Sequence, residues 1–174
     1  IFWSRTRNLQ KKTNKKKNKN KKKIISKIRK RRNTNTKTKK FNTKKIISKK
    51  QRIDVLVNNA GWGLFGSVED VSMKDFRAQF ETNFFGIISI IQKVAPVMRK
   101  QGSGIIVNVS SVAGRIGFPG SPAYISSKFA LEGLSESLRY ELGQFGVKTI
   151  IIEPGVIKTN FFSSMKIAEP KPDS

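Results

Sequence analysis

The chain has 174 residues, with 36 Lys and Arg against 11 Asp and Glu and a formal net charge of +25. It contains no Cys and no His, which excludes disulfides, thiol nucleophiles, zinc sites of the usual ligand types and every His-dependent triad. A catalyst built from this sequence has to use Ser, Tyr, Lys, Asp, Glu or Asn, and no metal site is expected.

The charge is not spread evenly. Residues 1–52 hold 24 Lys and Arg and no acid, whereas residues 53–174 hold 12 basic and 11 acidic residues. Residues 11–40 use only Lys, Asn, Thr, Ile, Ser and Arg. So dense a like-charged run repels itself and cannot bury a core, so a disordered, low-complexity basic arm is expected over 1–45 and a folded domain over 46–174. Three readings fit the arm. It can serve nucleic acid or other polyanions electrostatically, although 11–40 contains no aromatic residue to stack on bases. It can be a solvated tail. It can also be an A-rich stretch translated out of frame, because all six residue types have codons that begin with adenine. The missing segment described below favours the third. The start at Ile1 instead of Met likewise reads as a fragment. The N-terminus has no apolar core of signal-peptide length, and Phe84–Ile91 is too short to span a bilayer. The expectation is a cytoplasmic protein with no membrane span.

Residues 41–52 read as the tail of a helix with Ile46 and Ile47 as its contacts. Ile53–Val57 is a β-branched, apolar run that ends in the turn-rich Asn58–Gly63, which predicts a buried strand feeding a loop. Ser72 and Asp75 have the spacing of a helix N-cap box. Apolar residues follow at Phe76, Phe80, Phe84, Ile87, Ile91, Val94 and Met98, steps of three and four that predict one face of a single long helix. Pro96 should bend its last turn, and Gly102-Ser103-Gly104 should stop it. Ile105–Val109 is a second strand, running into Ser110, Ser111 and the Gly-rich loop Gly114–Gly120. A second helix is predicted over 122–145, with Ser127, Leu131, Leu134, Leu138 and Leu142 on one face. Val147–Ile152 is a third strand, broken at Pro154-Gly155.

Alternating strands and helices with near-continuous apolar strands predict an α/β fold with a parallel sheet covered on both faces. In such sheets the ligand sits beyond the carboxyl ends of the strands. The three strand ends lead into Asn58–Gly63, Ser110–Gly120 and Pro154–Asn160. Tyr124 and Lys128, four apart on the second helix, share a face. A nearby ammonium favours the phenolate, so the pair is expected to exchange protons nearer neutral pH than an ordinary phenol, which ionises at about 10. Ser111 can hydrogen-bond a substrate oxygen, and Asn83 can anchor a water or a backbone group.

Asn58-Asn59-Ala60-Gly61, Thr82-Asn83, Val109-Ser110-Ser111, Tyr124-Ile125-Ser126-Ser127-Lys128 and Pro154–Thr159 occur in that order. With them, residues 53–162 resemble the short-chain dehydrogenase/reductase family. The resemblance implies a partial Rossmann-like, doubly wound sheet and an NAD(P)-dependent interconversion of a small-molecule alcohol and carbonyl. It implies Tyr124 as acid/base, and Lys128 lowering its pKa and holding the nicotinamide ribose. Ser111 would orient the substrate oxygen, and Asn83 would hold a water that links Lys128 to solvent. Asn58, Ala60 and Gly61 would lie beside the adenosine. Pro154, Gly155, Ile157 and Thr159 would line the nicotinamide. Homo-oligomers would form through the two long helices.

The family's opening strand, Gly-rich turn and helix, where a pyrophosphate would sit, have no counterpart, because no Gly precedes Gly61. The choice between NAD and NADP is therefore unreadable, and weak or absent cofactor binding is expected. Met165–Ser174 resembles only the start of a substrate-covering segment. The alternative is an inactive, truncated relative of such an enzyme with a polycationic, nucleic-acid-binding arm. Substrate choice would rest on Leu64–Val68, Arg115–Ser121 and the residues after Phe161. Trp62, Phe65, Phe118 and Phe161 would line an apolar site or belong to the core.

Overall fold

The computed structural model describes residues 52–170, all within the compact unit that runs from Asn42 to Ser174. The basic arm and the helix tail read up to residue 51 lie outside the described residues.

Three β-branched, apolar runs form one parallel sheet. They are β1 (Val55–Asn58), β3 (Gly104–Val109) and β4 (Val147–Ile152), in the spatial order β1-β3-β4. Asn58 pairs with Asn108, and Val109 pairs with Ile152, so the three carboxyl ends stand level. The helices between them are α1 (Met73–Phe80), α2 (Gly86–Gln101) and α3 (Pro122–Gly143). Ile87, Ile91, Val94 and Met98 of α2 and Leu131, Leu138 and Leu142 of α3 bury against Ile106 and Val147.

The helices cover one face of this sheet. On the other, Val55, Val57, Ile150 and Ile152 are between 43% and 56% exposed. Coverage of both faces, expected from the apolar strands, is therefore not what the described residues show. The reason is topological. Strand-to-strand crossovers in a parallel sheet are right-handed, and β1, β3 and β4 advance in one direction, so both crossover helices fall on the same side.

The long first helix is also not continuous. A π-helical turn, Glu81–Phe85, separates α1 from α2. One extra residue in the turn shifts the phase of everything upstream by one position. The buried face thus runs Gln79, Asn83, Ile87, Ile91, and the predicted stripe Phe76, Phe80, Phe84 becomes a half-buried aromatic ladder with ring centroids 6.0 and 6.3 Å apart. The N-cap box does form, with Ser72 Oγ accepting from Asp75 N at 3.1 Å. The helix passes through Pro96 and ends at Gly102, whose φ of 68° suits glycine.

A two-stranded parallel ladder, β2 (Leu64–Phe65) with β5 (Lys166–Ile167), was not legible in the sequence. It packs Leu64 into a small second core with Val71 and Ala123, flanked by Trp62, Phe76 and Ala168. Gly63 permits this approach, since a Cβ there would lie 2.6 Å from the Met165 methyl. No helix among the described residues is long and apolar enough to cross a membrane.

Candidate active site

The carboxyl ends of the strands gather polar side chains around the first turns of α3. Tyr124 and Lys128 lie one turn apart on its inner side, and both are buried. Lys128 Nζ donates to the carbonyl of Val109, the last residue of β3, at 2.8 Å, and lies 5.7 Å from the centre of the Tyr124 ring. Ser111 follows the same strand. Its Oγ accepts from Ala113 N at 3.2 Å and so caps the short turn Val112–Gly114. Ser111 also hydrogen-bonds the Tyr124 side chain.

Asn83 sits in the π turn, which presents it to the site. Its Oδ1 accepts from Trp62 N at 3.2 Å, while Nδ2 donates to Trp62 O at 3.0 Å and to Ser127 Oγ at 3.3 Å. Ser127 in turn donates to Tyr124 O at 2.7 Å. Both amide protons of Asn83 are engaged, so a water can reach only its second Oδ1 lone pair or its backbone carbonyl. A Cβ at Gly61 would fall 3.3 Å from Asn83 Oδ1 and 4.0 Å from Lys128 Nζ, which brings that turn into the same cluster.

Burial decides the protonation of the pair. It pushes Lys128 down to about 8, and the charge of Glu132 offsets part of that fall. It pushes Tyr124 above its ordinary value of 10.0, and the hydrogen bond with Ser111 pulls it partly back. The expectation that Lys128 moves Tyr124 toward neutral pH is reversed here. Desolvation is the larger influence on Tyr124, and the influence that opposes it comes from Ser111.

Asn83, Ser111, Tyr124, Lys128 and Gly61 thus meet. Other predicted residues do not present side chains to this cluster. Asn58 is buried, and its Nδ2 donates to Asn108 Oδ1 at 2.8 Å, while Asn108 Nδ2 donates to Ser135 Oγ at 2.8 Å. Its side chain therefore joins two strands to α3, and toward a ligand it offers only backbone. Ala60 is exposed. Pro154 is half-buried and accepts from Val112 N at 3.1 Å. Gly155, Ile157 and Thr159 are exposed, and Thr159 Oγ1 accepts from Phe161 N at 3.2 Å. Of the aromatic candidates, Trp62 packs on the second core, Phe65 and Phe118 are exposed, and the Phe161 ring lies 5.8 Å from that of Tyr124.

Motif spacing alone assigns no role to Ser127, Asn108 or Ser135. Each is a buried polar residue on an apolar stripe, and that pattern was the available signal, since such groups are retained only when hydrogen-bonded.

Comparison with known proteins places this arrangement. Residues 3–170 match the family described as short chain dehydrogenase. The oxidoreductase YusZ of Bacillus subtilis is 53% identical over 120 residues, which are 69% of this chain and 43% of that protein. The 3-ketodihydrosphingosine reductase of Bacteroides thetaiotaomicron is 42% identical over 124 residues, 71% of this chain and 46% of that protein. Among solved structures, a short-chain dehydrogenase from Streptomyces avermitilis superposes with a TM-score of 0.69 at 38% identity, covering 75% of this chain and 50% of that one. ElxO with NADP bound superposes at 0.66 with 38% identity, covering 69% and 49%. The chain thus spans half or less of the length of these relatives.

Proposed function

The chain belongs to the short-chain dehydrogenase/reductase family, and on that premise we propose that it interconverts a small-molecule alcohol and carbonyl, with NAD or NADP as the hydride carrier and Tyr124 as acid/base. The observation that carries this reading is the convergence of Ser111, Tyr124 and Lys128 beyond the level strand ends, with Asn83 locked behind them.

The residues on the proton-transfer side fit such a cofactor. Lys128 Nζ has one proton engaged by Val109 and others to offer a ribose hydroxyl. The segment Gly155–Thr159, which follows the end of β4, is exposed, and a Cβ on Gly155 would meet nothing within 4 Å. On the phosphate side, Asn58–Gly61 supplies backbone and the exposed Asn59 side chain. When bound, the nicotinamide supplies or accepts the hydride. In reduction, the Tyr124 hydroxyl delivers its proton to the substrate oxygen as the carbonyl carbon is reduced. In oxidation, the tyrosinate takes the alcohol proton. Ser111 Oγ donates to the same substrate oxygen and fixes its distance from Tyr124. Lys128 stabilises the tyrosinate when it forms, and the raised pKa of Tyr124 makes the neutral, proton-donating form its resting state. Asn83 acts by holding the Gly61-Trp62 turn and, through Ser127, the carbonyl of Tyr124.

Phe161 beside Tyr124 and the exposed Phe65 and Phe118 support a substrate with a bulky apolar flank, in keeping with the name of the Bacteroides relative. The test is turnover of apolar ketones and alcohols, followed by cofactor absorbance. Tyr124→Phe should lower kcat by about 10²–10⁴-fold while NADPH still quenches or shifts in fluorescence titration. An unchanged kcat in that variant would remove Tyr124 from the chemistry. Self-association through α2 and α3 is part of the same proposal, supported by the exposed Phe85 of the π turn that leads into α2 and by the exposed Phe129 and Tyr140 of α3.

A further inference from the structure

Arg115 has no part in the chemistry above, yet it stands where three elements of the site meet. It follows the turn Val112–Gly114 that Ser111 caps. Its Nε donates to Glu153 Oε1 at 3.0 Å, and Nη2 lies 2.9 Å from the same oxygen. Nη2 is also 3.4 Å from Glu132 Oε2, and Nη1 is 3.5 Å from Glu136 Oε1. Glu153 follows β4 and leads into Pro154–Thr159. Glu132 and Glu136 stand one and two turns beyond Lys128 on α3.

Two observations set this apart from an ordinary surface ion pair. Glu132 is only 4% exposed, and among the described residues neither of its oxygens has a hydrogen-bond partner and Arg115 is the one cation at ion-pair distance. Gly114 lets the loop lie directly on the helix, because a Cβ there would come within 2.8 Å of Ser110 Oγ and 2.9 Å of Glu132 Cγ. Backbone bonds tie the same loop to β4, from Ser110 N to Ile152 O at 2.8 Å and from Val112 N to Pro154 O at 3.1 Å. Apart from Ser111 itself and the Lys128–Val109 bond at the end of β3, the polar tie to α3 among the described residues runs through Arg115.

We propose that Arg115 is a positioning residue whose planar fork across Glu153, Glu132 and Glu136 holds the Ser111 loop in register with Tyr124. A guanidinium can serve several carboxylates from fixed directions, whereas a lysine ammonium is a point charge on a flexible stem. The proposal rests on the reading of Ser111 and Tyr124 as the reacting pair, but its test needs neither cofactor nor turnover, so the two can fail separately.

The chain has two tyrosines, and Tyr140 is exposed. In a Tyr140→Phe background, alkaline titration by tyrosinate absorbance therefore reports Tyr124 alone. The Ser111 hydrogen bond lowers that midpoint, so Ser111→Ala should raise it. Arg115→Met and Arg115→Lys should raise it by the same amount, and Arg115→Met added to Ser111→Ala should raise it no further. An equal shift from Arg115→Met with and without Ser111 would mean that only a positive charge was lost, and would overturn the proposal. So would a wild-type midpoint in Arg115→Lys. Hydrogen exchange reads the loop directly. The Ala113 and Gly114 amides should exchange several-fold faster in both Arg115 variants at unchanged global stability, and wild-type exchange there overturns the proposal whatever the tyrosinate does.

Discussion

Replacing Lys128 with Met should stabilise the protein at neutral pH while disabling the site. Burial holds Lys128 at about 8 against an ordinary 10.5, with Glu132 offsetting part of the fall. A depressed folded pKa means that the unfolded chain binds more protons between those two values. Stability through this group therefore rises with pH across that window, and the gain is lost as pH falls back through the folded value. At pH 7 the penalty has a ceiling of about 3.5 kcal/mol, at roughly 1.4 kcal/mol per pH unit. Met keeps the straight, flexible stem but gives up the Lys128–Val109 bond, worth about 1 kcal/mol. The net gain should be about 1–2 kcal/mol. Tyr124 works in the opposite sense. Its pKa is raised, so its contribution is present below 10.0 and lost as pH climbs through the folded value. The interval from about pH 7.5 to 9.5 therefore isolates Lys128. Urea unfolding followed by far-ultraviolet circular dichroism should give a stability that climbs over this interval in the wild type, and a shallower climb in Lys128→Met. Equal slopes in the two proteins, or a variant less stable than wild type at pH 7, would refute desolvation as the main cause of the depressed lysine.

Asn108→Leu should cost about 2–4 kcal/mol in urea unfolding, because in a buried position Asn58 Nδ2 loses its acceptor and Ser135 Oγ loses the donor it accepts from, keeping only its bond to Leu131 O. The double variant Asn58→Leu/Asn108→Leu should cost less than the sum of the singles, and strict additivity would show the two amides to be independent. Gly146→Ala should cost at least about 2 kcal/mol, since the residue has a left-handed backbone and an added Cβ would collide with Gly102 O. A wild-type midpoint in that variant would mean that the turn relaxes freely. Phe85→Asp combined with Phe129→Asp should shift sedimentation toward the monomer at micromolar concentration without changing the circular dichroism, and a monomeric wild type would remove the helix-face interface.

The strands, the N-cap at Ser72, the stop at Gly102 and the Tyr124–Lys128 spacing were legible because each is a local signal: β-branched runs, a capping hydroxyl, a left-handed glycine, a helical repeat. What escaped depended on contacts between distant segments. The π turn leaves no local mark, since Phe80 and Gln79 are each compatible with the buried face until Asn83 finds the Trp62 backbone. The β2–β5 ladder joins residues about a hundred positions apart and is two residues long on each side. The direction of the Tyr124 shift also escaped, because spacing reveals that a charge is near but not how much water is gone. The gathering of Asn83, Ser111, Tyr124 and Lys128 at the strand ends was readable, while the hydrogen bonds that tie Asn58 to Asn108 required the packing.

Such ties have a common element. Asn58 reaches α3 through Asn108 and Ser135, and the Gly61-Trp62 turn reaches it through Asn83 and Ser127. The loop after β3 reaches it through Arg115 to Glu132 and Glu136. Residues 127, 132 and 135 occupy buried positions of α3 where leucines would add apolar burial of about 1.5–3 kcal/mol apiece. Polar residues stand there instead, and each is matched to a different strand end or loop. Tyr124 and Lys128 ride on the same helix, so every one of these tethers fixes a loop relative to the proposed reacting groups. In this fold the precision of the site and the loss of core burial arise from the same side chains. Stabilising substitutions at 127, 132 or 135 should therefore loosen the register of the site even where they tighten the fold.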